Sequence, residues 1–537
     1  MLICVNPSMN IAAHMIRAGR GYRECPAVAK GTTVLRNYGE LADRVAALAT
    51  TLTRRFGLAA GDRVALMLFN CPEYIELLYA VWHAGLVVVP INAKLHRNEF
   101  EYILKNSGSK LCFTSPELTD VATSLADDVL ANVIEVGGSD YDRLVETDPA
   151  PLATRQPDDP AWLFYTSGTT GLPKGATLSH RNLMAMCHCY FTDVDPISPW
   201  SAILHAAPMS HGSGLYGLAF VIQAGCHVIP EQSGFNCAEV YELIEHWPGV
   251  AFFAAPTMVR RLLDQDPGSD TTNLKAIVYG GGPMYVEDCR EALRRFGPKL
   301  TQLYGQGESP MTITALSARM HADNDHPRWL ERLASVGIAQ SGVELRIADT
   351  DDRPLPVGEV GEVLVRGDSV MLGYWDDPAA TAEALKGGWL HTGDCGVLDD
   401  DGFLTLKDRA KELTGGAGCD VVYDTVGGDY AEAAIRATAW GGRFLVIGFT
   451  AGIPSVPLNL TLLKSCSIVG VFFGAMMSKE PELGAEVVKD LLDYTATGKL
   501  NPHVSERYAL EQAPEALRSM IDRRALGKIV IEPGVRG

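Results

Sequence analysis

The chain has 537 residues, of which 47% are apolar and 21% are charged, so it can bury several cores and is not a disordered protein. Its length fits one large multi-lobed enzyme or roughly three or four ordinary domains. A formal charge of −19 argues against nucleic acid and anionic membranes as partners, because both bind clustered Lys and Arg.

The N-terminus has no basic region leading into an apolar stretch, and no apolar run approaches the roughly 18–20 residues that a membrane-spanning helix needs. The twelve cysteines show neither C-x-x-C pairing nor metal-ligand spacing, which is typical of reduced thiols. We therefore expect a cytoplasmic protein without a membrane span.

Strands and helices alternate through the first part of the chain. Residues 38–56 carry apolar positions at helical spacing, and a buried strand (62–70), a helix (72–85) and a β-branched strand (86–92) follow. Short apolar strands recur at 201–208, 225–230, 250–256, 274–282 and 299–305. The alternation predicts a layered α/β fold with a largely parallel sheet.

The texture changes twice in the second half of the chain. Residues 336–406 alternate apolar and polar side chains between Gly, Pro and Asp-Gly turns, which predicts antiparallel strands in a small β-barrel. After residue 418 the α/β pattern returns. This pattern predicts strands at 419–428, 441–449 and 467–474, and helices at 430–440 and 481–498.

The strongest chemical signal is "YTSGTTGLPKGATLSHRNL", residues 165–183, which follows the apolar strand "AWLFY". Glycines let backbone N–H groups approach an anion, and the Ser and Thr hydroxyls add donors. Lys174 supplies a point charge suited to phosphate oxygens. The segment is not a G-x-x-x-x-G-K-[ST] loop, because Ala176 follows the Lys174–Gly175 pair.

Four further motifs follow in order: "PMSHGSG" (208–214), "YGGGP" (279–283), "YGQGES" (304–309) and "GWLHTGD" (388–394). Together with the phosphate loop they resemble the motifs of the AMP-forming acyl-CoA synthetases, in the acyl-adenylating superfamily. The resemblance spans roughly residues 10–412. One position departs from the pattern, since Gly307 stands where the family usually has Thr before the motif's Glu.

The resemblance implies a role for each matching residue. The β,γ-phosphates of ATP would be held by Thr166, Ser167, Gly168, Thr169, Thr170, Gly171 and Lys174. The adenine and its neighbourhood would be bracketed by Gly280, Gly281, Gly282, Tyr304, Gly305 and Gln306. Asp394 and Arg409 would contact the ribose, Glu308 would hold Mg²⁺, and His211 would stand beside the acyl pocket; an isolated His in an apolar segment can also be structural. Lys174, His211 and Glu308 are the implied catalytic residues.

The implied chemistry has two steps and uses ATP, Mg²⁺ and CoA. A carboxylate, from a fatty or aryl acid, displaces pyrophosphate to form acyl-AMP, and the thiol of CoA then displaces AMP. In the family a C-terminal lobe delivers a catalytic lysine and then rotates about a hinge, here at Asp408. We find no Gly-Lys-Ile/Leu-x-Arg element in that context after Asp408.

Residues 411–533 instead resemble the C-terminal half of a quinone oxidoreductase of the medium-chain dehydrogenase family. The resemblance rests on "KELTGGAGCDVVYDTVGGD", "GGRFLVIGFTAGIPSVPLNLTLLKSCSIVGVFFG", "GKLNPHVSERYALEQAPEAL" and the final "GKIVI". It implies that Lys528 begins a last strand; a catalytic role is the alternative. Because the pyrophosphate-binding turn would lie before residue 407, we expect a structural use for this segment, and "SIVGVFF" suggests homodimerisation.

The sequence therefore predicts an α/β acyl-adenylating domain over 1–407, built from two α/β subdomains and a small β-barrel (336–406). A hinge and junction (408–418) and a partial Rossmann-like domain (419–537) follow. The leading hypothesis is an AMP-forming carboxylate–CoA ligase with a replaced C-terminal lobe. The alternatives are an ATP- or acyl-binding scaffold with little turnover and an NADPH-dependent quinone reductase.

Overall fold

The computed structural model describes residues 9–125, 130, 132–166, 172–232, 234–407, 410, 414–428, 430–449, 452–454, 456, 458–501, 503–521 and 528–532. The chain divides into two compact units, one extending through Lys407 and the other beginning at Asp408. Each unit is built around its own sheets. In the described part of the chain, no helix is both long enough and apolar enough to cross a membrane.

The first unit contains a seven-stranded sheet. Its strands are, in spatial order, Gly373–Tyr374, Lys174–Ser179, Pro160–Thr166, Val87–Asn92, Arg63–Leu68, Ser109–Thr114 and Asn132–Glu135. The central strands pair in parallel and are almost fully buried, which is why they read as continuous apolar runs. Pro160–Thr166 and Lys174–Ser179 form an antiparallel hairpin in which Thr166 pairs with Lys174.

A nine-stranded sheet forms the other half of this unit. Its spatial order is Ile338–Ala339, Ser309–Leu316, Leu300–Gln306, Leu274–Tyr279, Val250–Ala254, Ala202–Leu204, Cys226–Ile229, Pro26–Lys30 and Thr33–Asn37. The middle strands are parallel, whereas Ser309–Leu316 runs antiparallel to Leu300–Gln306 and closes a tight hairpin. The strands predicted between residues 201 and 305 are all confirmed.

Helices cover these two sheets and bury their apolar stripes against them. The α-helices of the first unit are Ala13–Gly21, Tyr38–Thr50, Glu73–His83, Arg97–Ser107, Thr119–Ser124, Ser139–Asp142, His180–Cys189, Gly212–Ile222, Cys237–His246, Pro256–Asp264, Val286–Phe296, Ala318–Ala322, Trp329–Leu333 and Pro378–Ala384. Short 3₁₀ turns lie at Pro116–Leu118, Arg143–Val145 and Lys386–Gly388, and π-helical turns at Thr51–Arg55 and Tyr190–Val194. The predicted helix over 38–56 begins at a capping box in which Asn37 and Glu40 bond each other's backbone amides.

A four-stranded antiparallel sheet completes the first unit. Its strands follow one another along the chain as Val343–Ala348, Gly361–Gly367, Leu390–Leu398 and Leu404–Lys407. Three consecutive residues of the second strand, Val363, Leu364 and Val365, are fully buried, so both faces of the strand are covered there instead of the single face that the alternating pattern predicts. The predicted small barrel is thus present as a half-barrel meander, and its third strand carries Asp394.

The second unit holds a three-stranded parallel sheet of Cys419–Asp424, Thr438–Val446 and Ser467–Gly470, and a two-stranded parallel sheet of Val504–Ala509 and Lys528–Glu532. Its helices are Tyr430–Ala437, Asn459–Lys464, Phe473–Lys479, Pro481–Ala496 and Ala513–Ile521, with a 3₁₀ turn at Leu510–Gln512. This is the predicted Rossmann-like α/β segment.

The three strands predicted in the second unit all end three or four residues earlier than predicted, at Asp424, Val446 and Gly470. The strand expected over 467–474 ends at Gly470, and a helix begins at Phe473. The ladder stops there because Gly470 pairs with Val446, the last residue of the neighbouring strand. The Val471 amide makes the last bond of this ladder, to the carbonyl of Val446 at 2.9 Å, because the neighbouring strand ends there.

Candidate functional site

Two motif residues from different sheets are joined directly by hydrogen bonds. Tyr304, near the end of Leu300–Gln306, donates its hydroxyl to Oδ2 of Asp394 at 2.7 Å. Gln306 donates Nε2 to the same Oδ2 at 2.8 Å and to the carbonyl of Thr392 at 2.9 Å. Burial, followed by the Asp394 charge, raises the pKa of Tyr304, so its phenol stays protonated and can donate.

The glycine-rich segment 280–282 lies at the end of strand Leu274–Tyr279. A Cβ on Gly280 would stand 2.7 Å from the carbonyl oxygen of Leu303, so only glycine permits this close approach. Gly281 has a φ of +76°, and both it and Gly282 are exposed. The segment therefore offers an exposed backbone surface beside the strand that carries Tyr304.

A second cluster surrounds Glu308, which lies in the hairpin turn two residues after Gln306. Its buried carboxylate accepts a 2.7 Å hydrogen bond from the Tyr374 hydroxyl and a 3.3 Å bond from the Thr166 hydroxyl, both at Oε1. Lys174 Nζ lies 5.1 Å from the centre of the Tyr374 ring. The structure thus brings three predicted site residues, Thr166, Lys174 and Glu308, around the side chain of Tyr374.

Tyr374 belongs to none of the motifs found in the sequence. Its signal is an aromatic pair, Tyr374–Trp375, in a Gly- and Asp-rich turn where exposed loops seldom place large rings. Burial, and then the charge of Glu308, raises the pKa of Tyr374. Its hydroxyl therefore stays protonated and donates a hydrogen bond to the carboxylate.

Several predicted site residues lie outside the described residues. They are Ser167, Gly168, Thr169, Thr170, Gly171 and Arg409, together with the proposed hinge residue Asp408. The described flanks of the phosphate loop, Thr166 and Lys174, oppose each other in the hairpin.

His211 stands immediately before helix Gly212–Ile222. Its Nδ1 lies 2.8 Å from the hydroxyl of Ser210, and its ring meets the edge of Phe164 at 5.4 Å between centroids. Desolvation by burial lowers its pKa, so the imidazole is neutral at pH 7. The next residue, Gly212, has Met311 and Phe253 within 3.3 Å of where a Cβ would stand, so His211 lies beside an apolar wall.

Packing accounts for glycine at position 307. A Cβ there would lie 2.4 Å from Cγ2 of Thr166 and 2.7 Å from Cδ1 of Phe164. Both distances are shorter than a non-bonded contact between two carbon atoms allows, so a larger residue at position 307 would displace Thr166 or Phe164. The side chains of Thr166 and Phe164 thus fill the space that a side chain at position 307 would need, which explains why glycine stands there instead of the family's usual Thr.

A cavity of about 500 Å³ opens between the loops that follow the strands of the two large sheets. The segment 205–210, which leads to His211, forms one part of its lining. Other lining side chains are polar, apolar and cationic: Asn70, Asn92 and Gln232; Phe69, Phe235 and Met258; Lys94 and Arg261. The cavity therefore offers polar, apolar and cationic groups to a ligand. Residues between 230 and 261 contribute to this lining, whereas the glycine-rich segment 280–282 does not.

In the second unit, residues 414–418 lead from a turn into strand Cys419–Asp424 and do not link a strand to a helix. The turn after that strand is closed by Asp424, whose Oδ1 accepts the backbone amides of Val426 and Gly427 at 2.8 and 3.0 Å. Lys528 is exposed and begins the last strand, as the dehydrogenase resemblance predicts.

Comparison with known proteins identifies both parts of the chain. A model of the AMP-binding enzyme family matches residues 17–375, and a model of the zinc-binding dehydrogenase family matches residues 399–531. No group of three or more His, Cys, Asp or Glu side chains that could hold a metal occurs among the described residues. The chain belongs to the AMP-binding enzyme family, and its class is that of the AMP-forming CoA ligases, which use ATP and CoA.

Individual relatives agree with this assignment. The chain is 33% identical over 402 residues to a feruloyl-CoA synthase of Amycolatopsis sp, covering 74% of this chain and 78% of the relative. It is 31% identical over 423 residues to the medium/long-chain-fatty-acid–CoA ligase FadD8 of Mycobacterium tuberculosis, covering 75% and 72%. Among solved structures, the N-terminal domain of FACL13 from M. tuberculosis matches with a TM-score of 0.67 and 26% identity, covering 74% of this chain and 99% of that domain.

Proposed function

We propose that this protein activates a fatty or aryl carboxylic acid with ATP and passes the acyl group to CoA. The observation that carries the proposal is the pair of clusters on one hairpin: Gln306 bonds Asp394, and Glu308, two residues later, bonds Thr166 and Tyr374. The first cluster suits a nucleoside, and the second suits phosphates and a metal ion. Because the two lie on one hairpin, together they suit a nucleoside triphosphate. The relatives that act on ferulic and fatty acids support the substrate class.

Each cluster has a part in binding ATP. Asp394, fixed by Tyr304 and Gln306, offers carboxylate oxygens to the ribose hydroxyls. The exposed backbone of 280–282 and the Tyr304 ring would lie along the adenine, with Arg409 at the ribose. Lys174 and Thr166, with residues 167–171 between them, would hold the β- and γ-phosphates through charge and backbone amides.

Glu308 fits a Mg²⁺ ligand. Its carboxylate is a hard oxygen donor, only 8% of the residue is exposed, and two hydroxyl groups fix its orientation. When bound, the metal would offset phosphate charge. The chain's own residues supply the rest, since Tyr374 and Thr166 hold the carboxylate in place and Lys174 supplies a second positive charge.

The first step joins a carboxylate oxygen of the acid to the α-phosphorus of ATP and breaks the bond from that phosphorus to the bridging oxygen, so pyrophosphate leaves. In the second step the thiol sulfur attacks the acyl carbonyl, AMP departs, and the thiol proton goes to solvent. Neutral His211 at the apolar wall would orient the acid and would add no charge to the phosphate-binding site around Lys174. The 500 Å³ cavity would admit the thiol co-substrate, with Lys94 and Arg261 toward its phosphates.

The second unit distinguishes this chain from its relatives. Its Lys528 begins a strand of the segment that matches the dehydrogenase family, which supports the proposal that the lysine delivered by the family's lobe is missing here. Loss of one electrostatic stabiliser costs roughly 10²–10³ in rate. We propose that adenylation persists at a reduced rate and that thioester formation is slower still.

Pyrophosphate release tests the proposal. A panel of aryl and fatty acids is presented with ATP and Mg²⁺, and acyl-CoA is then detected by mass spectrometry; Asp394→Ala serves as the inactive control. Acid-dependent pyrophosphate release that Asp394→Ala abolishes supports the ligase. Saturable ATP binding without release favours the binding-protein alternative, and NADPH oxidation with a quinone would favour the reductase.

A homodimer in the cytoplasm is a further part of the proposal. The edge strand Ser467–Gly470 is exposed along its length, and Val471 and Phe472 beyond it are 40% and 79% exposed. An apolar edge of this kind pairs readily with a second copy. Light scattering at micromolar concentration should give twice the 57.9 kDa chain mass, and Ile468→Lys combined with Val469→Lys should restore the monomer. Trp200→Lys, an exposed apolar residue of the first unit, is the matched control.

A further inference from the structure

One side chain outside all the motifs ties the two large sheets together next to His211. Asn70 follows strand Arg63–Leu68 of the seven-stranded sheet. Its Nδ2 donates to the carbonyls of His205 at 2.8 Å and Ala207 at 2.9 Å, and its Oδ1 accepts the backbone amide of Met209 at 2.8 Å. Both amide hydrogens and the carbonyl oxygen are thus used on one segment.

That segment, residues 205–209, lies beyond the end of the sheet except for the His205 amide, which donates to the carbonyl of Val228 at 2.9 Å. Strand Ala202–Leu204 ends just before it, and helix Gly212–Ile222 begins just after His211. Four of its five residues are buried, with His205 1% and Met209 0% exposed, whereas Pro208 is exposed. Buried backbone groups outside a ladder need other partners, and the Asn70 amide supplies three of those bonds.

The segment also forms a wall of the 500 Å³ cavity, in which Asn70, His205 and Pro208 all take part. On its other side the His205 imidazole is fixed by the hydroxyl of Ser213 at 2.8 Å, in the first turn of the helix. The path of the chain from residue 205 to His211 is therefore held from both sides. A change at Asn70 frees one of those two sides.

We propose that Asn70 is a positioning residue for acid binding, which acts by fixing segment 205–209 and so the place of His211. This rests on the proposed function, because it assumes that the acid binds beside His211. Loss of the clamp weakens use of the acid and leaves ATP binding intact, since the nucleotide cluster of Tyr304, Gln306 and Asp394 has no bond to Asn70.

The test compares Asn70→Ala and Asn70→Asp with the wild-type full chain. Asp has the shape of Asn but replaces the two donors by an oxygen facing the carbonyls of His205 and Ala207, so it separates hydrogen bonding from volume. Asn37→Ala is the control for stability alone, since it removes the N-cap of helix Tyr38–Thr50, whose side chain accepts from the Glu40 amide and not from segment 205–209. Two quantities are measured: KM for acid and for ATP from pyrophosphate release, and hydrogen exchange of peptides spanning 205–211.

Both Asn70 variants should raise KM for the acid about 10-fold or more, change KM for ATP by less than about 2-fold and speed exchange over 205–211. Asn37→Ala should lower the melting temperature without either change. Unchanged exchange and an unchanged acid KM in Asn70→Ala would overturn the proposal, as would full activity in Asn70→Asp. If the wild type releases no pyrophosphate with any acid, the proposed function fails, and exchange over 205–211 alone decides whether Asn70 holds the segment.

Discussion

The hydroxyl of Tyr304 donates to Asp394 at 2.7 Å, although 90 residues separate the two in the chain. The bond joins the end of a strand in the nine-stranded sheet to a strand of the half-barrel. Because the acceptor is a carboxylate and the donor is mostly buried, the bond belongs to the stronger, charge-assisted class. It fixes the carboxylate orientation on which ribose binding depends in the proposed function.

Tyr304→Phe should therefore raise the dissociation constant for ATP about 10-fold, since a hydrogen bond to a charged group contributes about 1.5–3 kcal/mol. Asp394→Ala should cost more, and the double variant should cost little more than Asp394→Ala alone because the two residues share one interaction. ATP titration calorimetry with each variant checks this. Additive losses would show that Tyr304 acts independently of Asp394.

Substitution at Gly307 tests the packing around Thr166. Gly307→Thr supplies the residue that the family usually has, yet it should lower the melting temperature and the rate of pyrophosphate release, because its Cβ would meet Thr166 Cγ2 at 2.4 Å. Overpacking of this kind costs about 1–3 kcal/mol. Adding Thr166→Ser, which removes that methyl group, should recover part of the loss. A gain in activity from Gly307→Thr alone would contradict the packing account.

Tyr374→Phe separates the hydroxyl from the ring. The ring would still lie beside Lys174, but Glu308 would lose its 2.7 Å donor. We expect the Mg²⁺ concentration for half-maximal pyrophosphate release to rise about 3- to 10-fold, with little change in melting temperature. Tyr423→Phe, at a 67% exposed position of the second unit, is the matched control and should change neither quantity.

Buried histidines should make stability depend on pH. Burial lowers the pKa of His205 to about 3 and that of His321 to about 4, whereas an unfolded imidazole titrates near 6.5. Below pH 6.5 the unfolded state therefore binds more protons, and the folded state loses about 1.4 kcal/mol per pH unit for each such residue until the folded pKa is reached. Above pH 6.5 their contribution is complete.

The melting temperature should accordingly fall between pH 7 and pH 5. His205→Asn should flatten that dependence, at the cost of lower stability at pH 7, where its bonds to Ser213 and His227 are lost. His188→Asn, at an exposed position, should leave the slope unchanged. An equal slope in wild type and His205→Asn would show that His205 does not contribute to the acid sensitivity.

Much of this molecule could be predicted from the sequence because the signals are local. The amphipathic helix from Tyr38 and the β-branched strand at Val87–Asn92 follow from the spacing of apolar residues, and the motif around Lys174 concentrates glycine and hydroxyl groups within one loop. The same holds for the junction near Lys407, where the motifs of one family give way to those of another. The early end of the strand at Gly470 was not predictable, since it depends on where its neighbour ends.

Only the tertiary structure decided which side chains meet. The Thr166–Glu308 contact spans 142 residues and the bond from Asn70 to Met209 spans 139, so each depends on sheet order and register and not on any local pattern. Tyr374 and Asn70 lie outside the motifs for the same reason, because their function lies in partners distant in the chain. The sequence by itself determined the family, the order of the elements and the residue types at the site. The fold determined their distances, because hydrogen bonds over 2.7–3.3 Å require a unique packing of elements that the chain places far apart.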